Sequence, residues 1–294
     1  MLAWLLLAAS DALLPVARPS VSPPRQRPIA LTAAQAEAPE QTPLGFSFTP
    51  GGLLFPYYVG FAYELQRAGL LTPTTPVGGS SAGAIVATAL ASDLSEATIL
   101  DGLKGLVADY RAGASLRSAL RTQLELLLPD DAPERCERRG LTVCYQRILP
   151  WPKACLTQSW ESKQDLIDCV AASCCWPFFF SRWPCVWVRG GLAVDGYFAL
   201  PRENFGAPPL SAERTVVVSC LPRVKVAPQS GGLVQPGVGT SFALDVEDAE
   251  WFQRAIKPAS DAKLDEMVRL GREHATRWAE DGAARSTSLG SAVS

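Results

Sequence analysis

The chain of 294 residues is poor in the side chains that most often carry hydrolytic and metal chemistry: it has one histidine, His274, and two methionines. A single imidazole cannot complete a Cys/His zinc set, and the eight cysteines (Cys136, Cys144, Cys155, Cys169, Cys174, Cys175, Cys185 and Cys220) form no CxxC pair. No cluster of carboxylates has the spacing of a calcium loop. These absences lead us to expect no metal and no cofactor. There is no excess of basic residues either. The formal net charge is -2, with both signs interspersed, which removes the electrostatic footprint that nucleic-acid binding requires. The longest N-terminal apolar run, Leu2 to Ala9, is too short to span a bilayer.

What is present is the composition of an ordinary globular protein, 48% hydrophobic and 19% charged, in a chain long enough for a sizeable core. The cysteines are expected to be mostly buried free thiols in a reducing compartment, although their even number leaves disulfides open. Residues 1–43 read as an address. The short apolar run is followed by Ser10-Asp11-Ala12, a small-x-small cleavage pattern. Residues 13 to 36 then carry Arg18, Arg25 and Arg27 with no acidic residue. A signal-like piece before a transit-like piece is the two-part arrangement that leads to plastids bounded by extra membranes. The alternatives are a secretory signal or an unstructured start, with an endomembrane or cytoplasmic location. The folded domain is expected over residues 44–283, with a disordered tail at 284–294.

Along that domain, Leu44 to Phe48 alternates as a half-buried strand and ends in Thr49-Pro50-Gly51-Gly52. Helical spacing from Tyr57 to Arg67 stops at Gly69, and a short strand, Val77-Gly78-Gly79, runs into Ser80-Ser81 and a small-residue helix over Ala82 to Ala91. Further helices are predicted over Glu96–Tyr110, Leu116–Leu128, Asp165–Ala172 and Asp261–Glu280. Strands are predicted over Leu141–Leu149, Ala154–Trp160, Leu192–Val194 and Thr215–Cys220. The order strand, glycine turn, helix, strand, serine turn, helix implies α/β architecture with a parallel sheet, whose ligands collect at the carboxyl ends of the strands.

The chemistry centres on Gly79-Ser80-Ser81-Ala82-Gly83. A serine nucleophile on a strained strand-to-helix turn needs glycines at both flanking offsets, and only Ser81 has them. Acyl transfer also needs N–H donors for the oxyanion; Gly51 and Gly52, before a helix, and Ala82, just after the serine, can supply them. Two partners for Ser81 remain open. One is a Ser81-Asp195-His274 triad, opposed by the position of His274 on the stripe of a long helix. The other is a Ser81-Asp195 dyad, with Asp195 at the end of a strand in Asp195-Gly196.

These three motifs, in this order and spacing, resemble the patatin-like phospholipases. The resemblance implies a three-layer αβα fold with a mostly parallel central sheet. It implies Ser81 as nucleophile, Asp195 as its activator without histidine, and Gly51 and Gly52 in the oxyanion hole. It further implies a fatty acyl ester of a glycerolipid (phospholipid, galactolipid or triacylglycerol) as substrate, at a membrane or lipid-droplet surface. Pro50, which has no N–H, stands where the family's glycine loop begins, and Tyr197 replaces the small residue of its DG[GA] motif. A catalytically silent lipid-binding protein on the same scaffold is therefore the rival reading. Trp176, Phe178, Phe179, Phe180, Trp183 and Trp187 are expected either as a buried sheet edge or as an acyl-channel wall or bilayer contact.

Overall fold

The computed structural model describes residues 42–226, 231–236, 244 and 246–290. The expected targeting segment lies almost wholly outside the described residues, as do the last four residues of the expected tail. The strands are β1 (Thr42–Phe48), β2 (Val77–Gly79), β3 (Thr142–Leu149), β4 (Lys153–Thr157), β5 (Val186–Val188), β6 (Gly191–Val194), β7 (Ala212–Val218) and β8 (Leu233–Val234). The helices are α1 (Phe55–Arg67), α2 (Ala82–Ala91), α3 (Glu96–Arg111), α4 (Leu116–Leu127), α5 (Ala132–Arg139), α6 (Lys163–Ser173), α7 (Asp248–Ile256) and α8 (Asp261–Gly290).

The sheet runs β5-β6-β3-β2-β1-β7-β8, with β4 also on β3. Its centre, β3-β2-β1-β7-β8, is parallel throughout, whereas β4, β6 and β5 form an antiparallel flank. Flanked by helices, this mixed, mostly parallel sheet is the three-layer α/β arrangement. Phe46 on β1 and Tyr57 and Phe61 on α1 are fully buried, as is Trp251 on α7. All eight cysteines are free; six are buried and Cys155 and Cys185 half-buried.

Local signals mark several helix ends. Ser95, Ser115 and Ser162 accept the N–H groups of Thr98, Ser118 and Asp165 and so cap α3, α4 and α6. Two helices escape the periodicity argument. In α5, Pro133 in the first turn and left-handed Gly140 at the end are start and stop signals, but the body is almost entirely polar. Its anchor is Arg139, buried under the guanidinium's bonds to the carbonyls of Thr72, Thr75 and Leu90. The second, α7, buries only Trp251, Arg254 and Ala255. The final helix continues to Gly290, past the Glu280 end expected from its pattern and through most of the expected tail.

Candidate active site

The parallel pairing sets the site. Phe48, the last residue of β1, lies opposite Gly79, the last of β2, so the turns that follow both strands emerge side by side at the carboxyl edge of the sheet. One carries Pro50-Gly51-Gly52 and the other carries Ser81. The Ser80 N–H donates to the Phe48 carbonyl at 3.3 Å and ties the two turns together.

Ser81 adopts φ 54°, ψ −126°, a backbone conformation that costs a non-glycine residue about 1–3 kcal/mol. The surrounding contacts impose it. The Gly83 N–H bonds the Ser80 carbonyl at 2.9 Å, and α2 approaches β1 so closely that a Cβ at Gly83 would stand 2.3 Å from the Phe48 carbonyl oxygen. The Ser81 N–H itself is held by Ser173 Oγ, 2.9 Å away at the end of α6. Nothing in the sequence singles out Ser173, because it reaches the turn through tertiary packing across 92 positions.

The glycine loop shows the same tightness. A Cβ at Gly51 would meet Cys220 Sγ at 2.3 Å, and Gly52 has φ 56° with the Ala255 carbonyl oxygen 2.4 Å from the place its Cβ would occupy. Among the described residues, the N–H groups of Gly51, Gly52 and Ala82 make no hydrogen bond. Three amides beside one serine are thus left as donors. Behind the loop, Tyr58 Oη bonds the Thr49 carbonyl at 2.9 Å and receives the Cys220 N–H at 3.1 Å, fixing the backbone.

Asp195 follows β6 and is fully buried. Its N–H bonds the Cys175 carbonyl at 2.9 Å, and its Oδ1 accepts the Tyr197 N–H at 2.9 Å. No donor reaches Oδ2 in hydrogen-bond geometry. Burial lifts the carboxyl from the ordinary 3.8 to about 7, while the Tyr197 N–H and then the Ser81 hydroxyl pull it back. The Ser81 hydroxyl is thus close enough to influence the carboxyl without completing a hydrogen bond to Oδ2. A carboxyl with this proton affinity is poised to exchange a proton near neutrality.

His274 is buried on α8 with Nδ1 2.9 Å from Tyr57 Oη on α1. Pro50 is buried, and a Cβ at Gly206 would stand 2.9 Å from its ring and 3.2 Å from Tyr197 Cα. The two departures from the family pattern thus pack around the same glycine. The aromatic stretch also corrects the expectation of a buried edge: Phe180 is buried and Trp176 and Phe179 half-buried, but Phe178, Trp183 and Trp187 are exposed.

An apolar crevice of about 30 Å³, lined by Ile85 and Ala89 of α2 with Phe55, Leu103 and Leu120, lies along the helix that starts at Ser81. A larger cleft of about 600 Å³ sits at the far end of α6, among Glu137, Trp160, Asp165 and Arg189, and contains neither Ser81 nor Asp195. Among the described residues there is no cluster of His, Cys, Asp and Glu that could hold a metal ion, and no helix is long and apolar enough to cross a membrane.

An α/β sheet with a strained serine turn, a glycine loop and a buried carboxyl at one edge is the framework of a serine hydrolase class. The model of the patatin-like phospholipase family matches residues 47–205, more than half of the chain, and the chain belongs to that family. Its members are in general lipid acyl hydrolases. Among solved structures, VipD from Legionella pneumophila is similar, with 14% identity and a TM-score of 0.43 over 81% of this chain and 68% of that one. No curated protein matches.

Proposed function

We propose that the protein is a serine acyl hydrolase that cleaves fatty acyl esters of glycerolipids through a Ser81-Asp195 dyad and an acyl-enzyme. The observation that carries this reading is a fully buried carboxyl, its pKa raised to about 7, beside a serine held in a strained turn. Ionised Asp195 takes the Ser81 proton as Oγ attacks the ester carbonyl. The N–H groups of Gly51, Gly52 and Ala82 receive the oxyanion. As the tetrahedral intermediate collapses, protonated Asp195 returns its proton to the departing alkoxide. Asp195 then deprotonates water, which attacks the acyl-enzyme; the fatty acid leaves and Ser81 Oγ recovers its proton.

The acyl chain is assigned to the crevice along α2, which must widen from its present volume to admit one. The choice among phospholipid, galactolipid and triacylglycerol is tested together with catalysis. Purified protein and Ser81→Ala are assayed for fatty acid release from a panel of these lipids. The hydrolase reading expects release by the native chain on at least one lipid and a fall of roughly 10⁴-fold or more in the variant. Equal release by both, or none by either with lipid still bound, favours the silent lipid-binding reading.

A further inference from the structure

Among the described residues, seven of the ten exposed large apolar side chains fall between residues 149 and 198. Their placement follows from the antiparallel flank. Val143 on β3 is level with Gly79 at the end of β2, so the six further residues of β3 carry it about 20 Å beyond the carboxyl edge where Ser81 sits. Strands β4, β6 and β5 pair with this extension, and α6 packs on one of its faces, burying Val186, Val188 and Ala193.

The other face is apolar and open. Trp187 on β5 pairs with Leu192 on β6, which pairs with Leu149 on β3; directly opposed residues share a face. Ala154 and Leu156 of β4 join them through the pairs Gln146–Ala154 and Gln146–Val194. Trp187 is 66% exposed, Leu149 51% and Leu156 40%, and Trp151 at the tip of the β3-β4 hairpin is 76% exposed. Leu192 lies only three residues, about 10 Å, before Asp195. Beyond Asp195, the rings of Tyr197 and Phe198 meet Trp176 at tilted angles, at 5.6 and 5.1 Å between ring centres.

Charge selects the occupant. The net charge of the chain is -2, yet residues 141–160 and 174–194, which carry β3, β4, β5 and β6, contain no acidic residue and four basic ones: Arg147, Lys153, Arg182 and Arg189; the acids between them, Glu161, Asp165 and Asp168, lie just before or within α6, on the other face. Arg189 is engaged by Asp165, whereas Arg147, Lys153 and Arg182 have no carboxylate partner among the described residues. The register sets Arg147 and Lys153 level with Ala193, on the α6 face, whereas Arg182 is exposed between the exposed Phe178 and Trp183. Indoles and aliphatic side chains with no acid among them and a basic residue beside them suit the headgroup level of an anionic bilayer.

We propose that this face, centred on Trp151, Trp187, Leu149 and Leu156, docks the protein on an anionic glycerolipid surface and presents the Asp195 edge to it. The proposal rests on the lipid-hydrolase reading, whose substrate must be drawn from such a surface. The test uses the full chain with Ser81→Ala, so that vesicles stay intact. It is sedimented with phosphatidylcholine vesicles, or with vesicles containing about one third phosphatidylglycerol, with and without Trp151→Ala and Trp187→Ala.

Docking expects tighter partition onto the anionic vesicles and a loss of roughly tenfold for each tryptophan, from about 60 Å² of indole withdrawn from water. Arg182→Glu weakens only the anionic preference, by about fivefold or more. In the chain with Ser81 intact, the tryptophan variants keep their turnover of a soluble short-chain ester and lose vesicle hydrolysis. Partition unchanged by the two tryptophan substitutions overturns the proposal. So does a native oligomer, in the absence of vesicles, that dissociates when they are made, because the face is then an interface between copies. Partition through this face without fatty acid release by the Ser81-intact chain leaves docking standing and removes the hydrolase reading; release without any effect of the face does the reverse.

Discussion

Replacement of Asp195 by Asn separates the cost of the buried carboxyl from its use. Below the ordinary carboxylate value of 3.8 both folded and unfolded chains hold the proton, and the group costs nothing. Between 3.8 and about 7 only the folded chain holds it, so stability falls as pH rises through that window and levels off above it. At about 1.4 kcal/mol per pH unit, the fully ionised group costs the fold about 4 kcal/mol, of which about 3 kcal/mol is incurred between pH 4.5 and pH 8.5. Asn keeps an oxygen for the Tyr197 N–H and does not titrate. Its amide also lies where Oδ2 has no partner, a penalty that does not change with pH. The assay is denaturant unfolding of the native chain and Asp195→Asn at both pH values. The stability of the variant relative to the native chain should rise by about 3 kcal/mol from the acid to the alkaline condition. A difference that stays flat with pH would refute the assignment of a buried, destabilised carboxylate. In the same reasoning kcat/KM of the native enzyme rises with pH through an apparent pKa of about 7, because the dyad works from ionised Asp195, and Asp195→Asn is inactive throughout.

Ser81→Gly should be more stable than Ser81→Ala by about 1 kcal/mol, since glycine relieves the positive φ, while both lack activity; equal melting of the two variants would argue against strain in the turn. Ser173→Ala removes the acceptor of the Ser81 N–H and should cost about 1–3 kcal/mol together with a fall in kcat at little-changed KM, and a variant of native kcat would show that this bond does not position the serine. His274→Ala leaves the buried Tyr57 hydroxyl short of a partner and opens a cavity, so unfolding free energy falls by about 2–4 kcal/mol. Turnover per folded molecule stays within about twofold, and a folded but inactive His274→Ala would restore the triad.

The candidate site was legible because its pieces are local. Gly79 and Gly83 flank Ser81 within one turn, Gly51-Gly52 ends the neighbouring strand, and Asp195-Gly196 closes another; each is a short-range demand on backbone geometry that leaves a mark in residue type. The scarcity of histidine narrowed the base in the same direct way. Ser173 left no such mark, since any residue with a small hydroxyl at the end of α6 would read alike until packing brings it 2.9 Å from the Ser81 N–H. Helix α5 was missed because it is stabilised by the burial of one arginine rather than by an apolar stripe.

The sequence by itself determined the serine turn, the glycine loop and the order of most of the strands and helices, because periodicity, caps and glycine positions are properties of neighbouring residues. Tertiary structure alone revealed the full burial of Asp195 and the seat of His274 against Tyr57, since the proton affinity of a carboxyl depends on how completely the fold removes it from water, and burial is not written in any window of residues. It also decided the fate of the aromatic stretch. The same tryptophan can line a core or a surface, and only the strand register, which sets Trp187 beside Leu192 and Leu149 on the face away from α6, turned it outward.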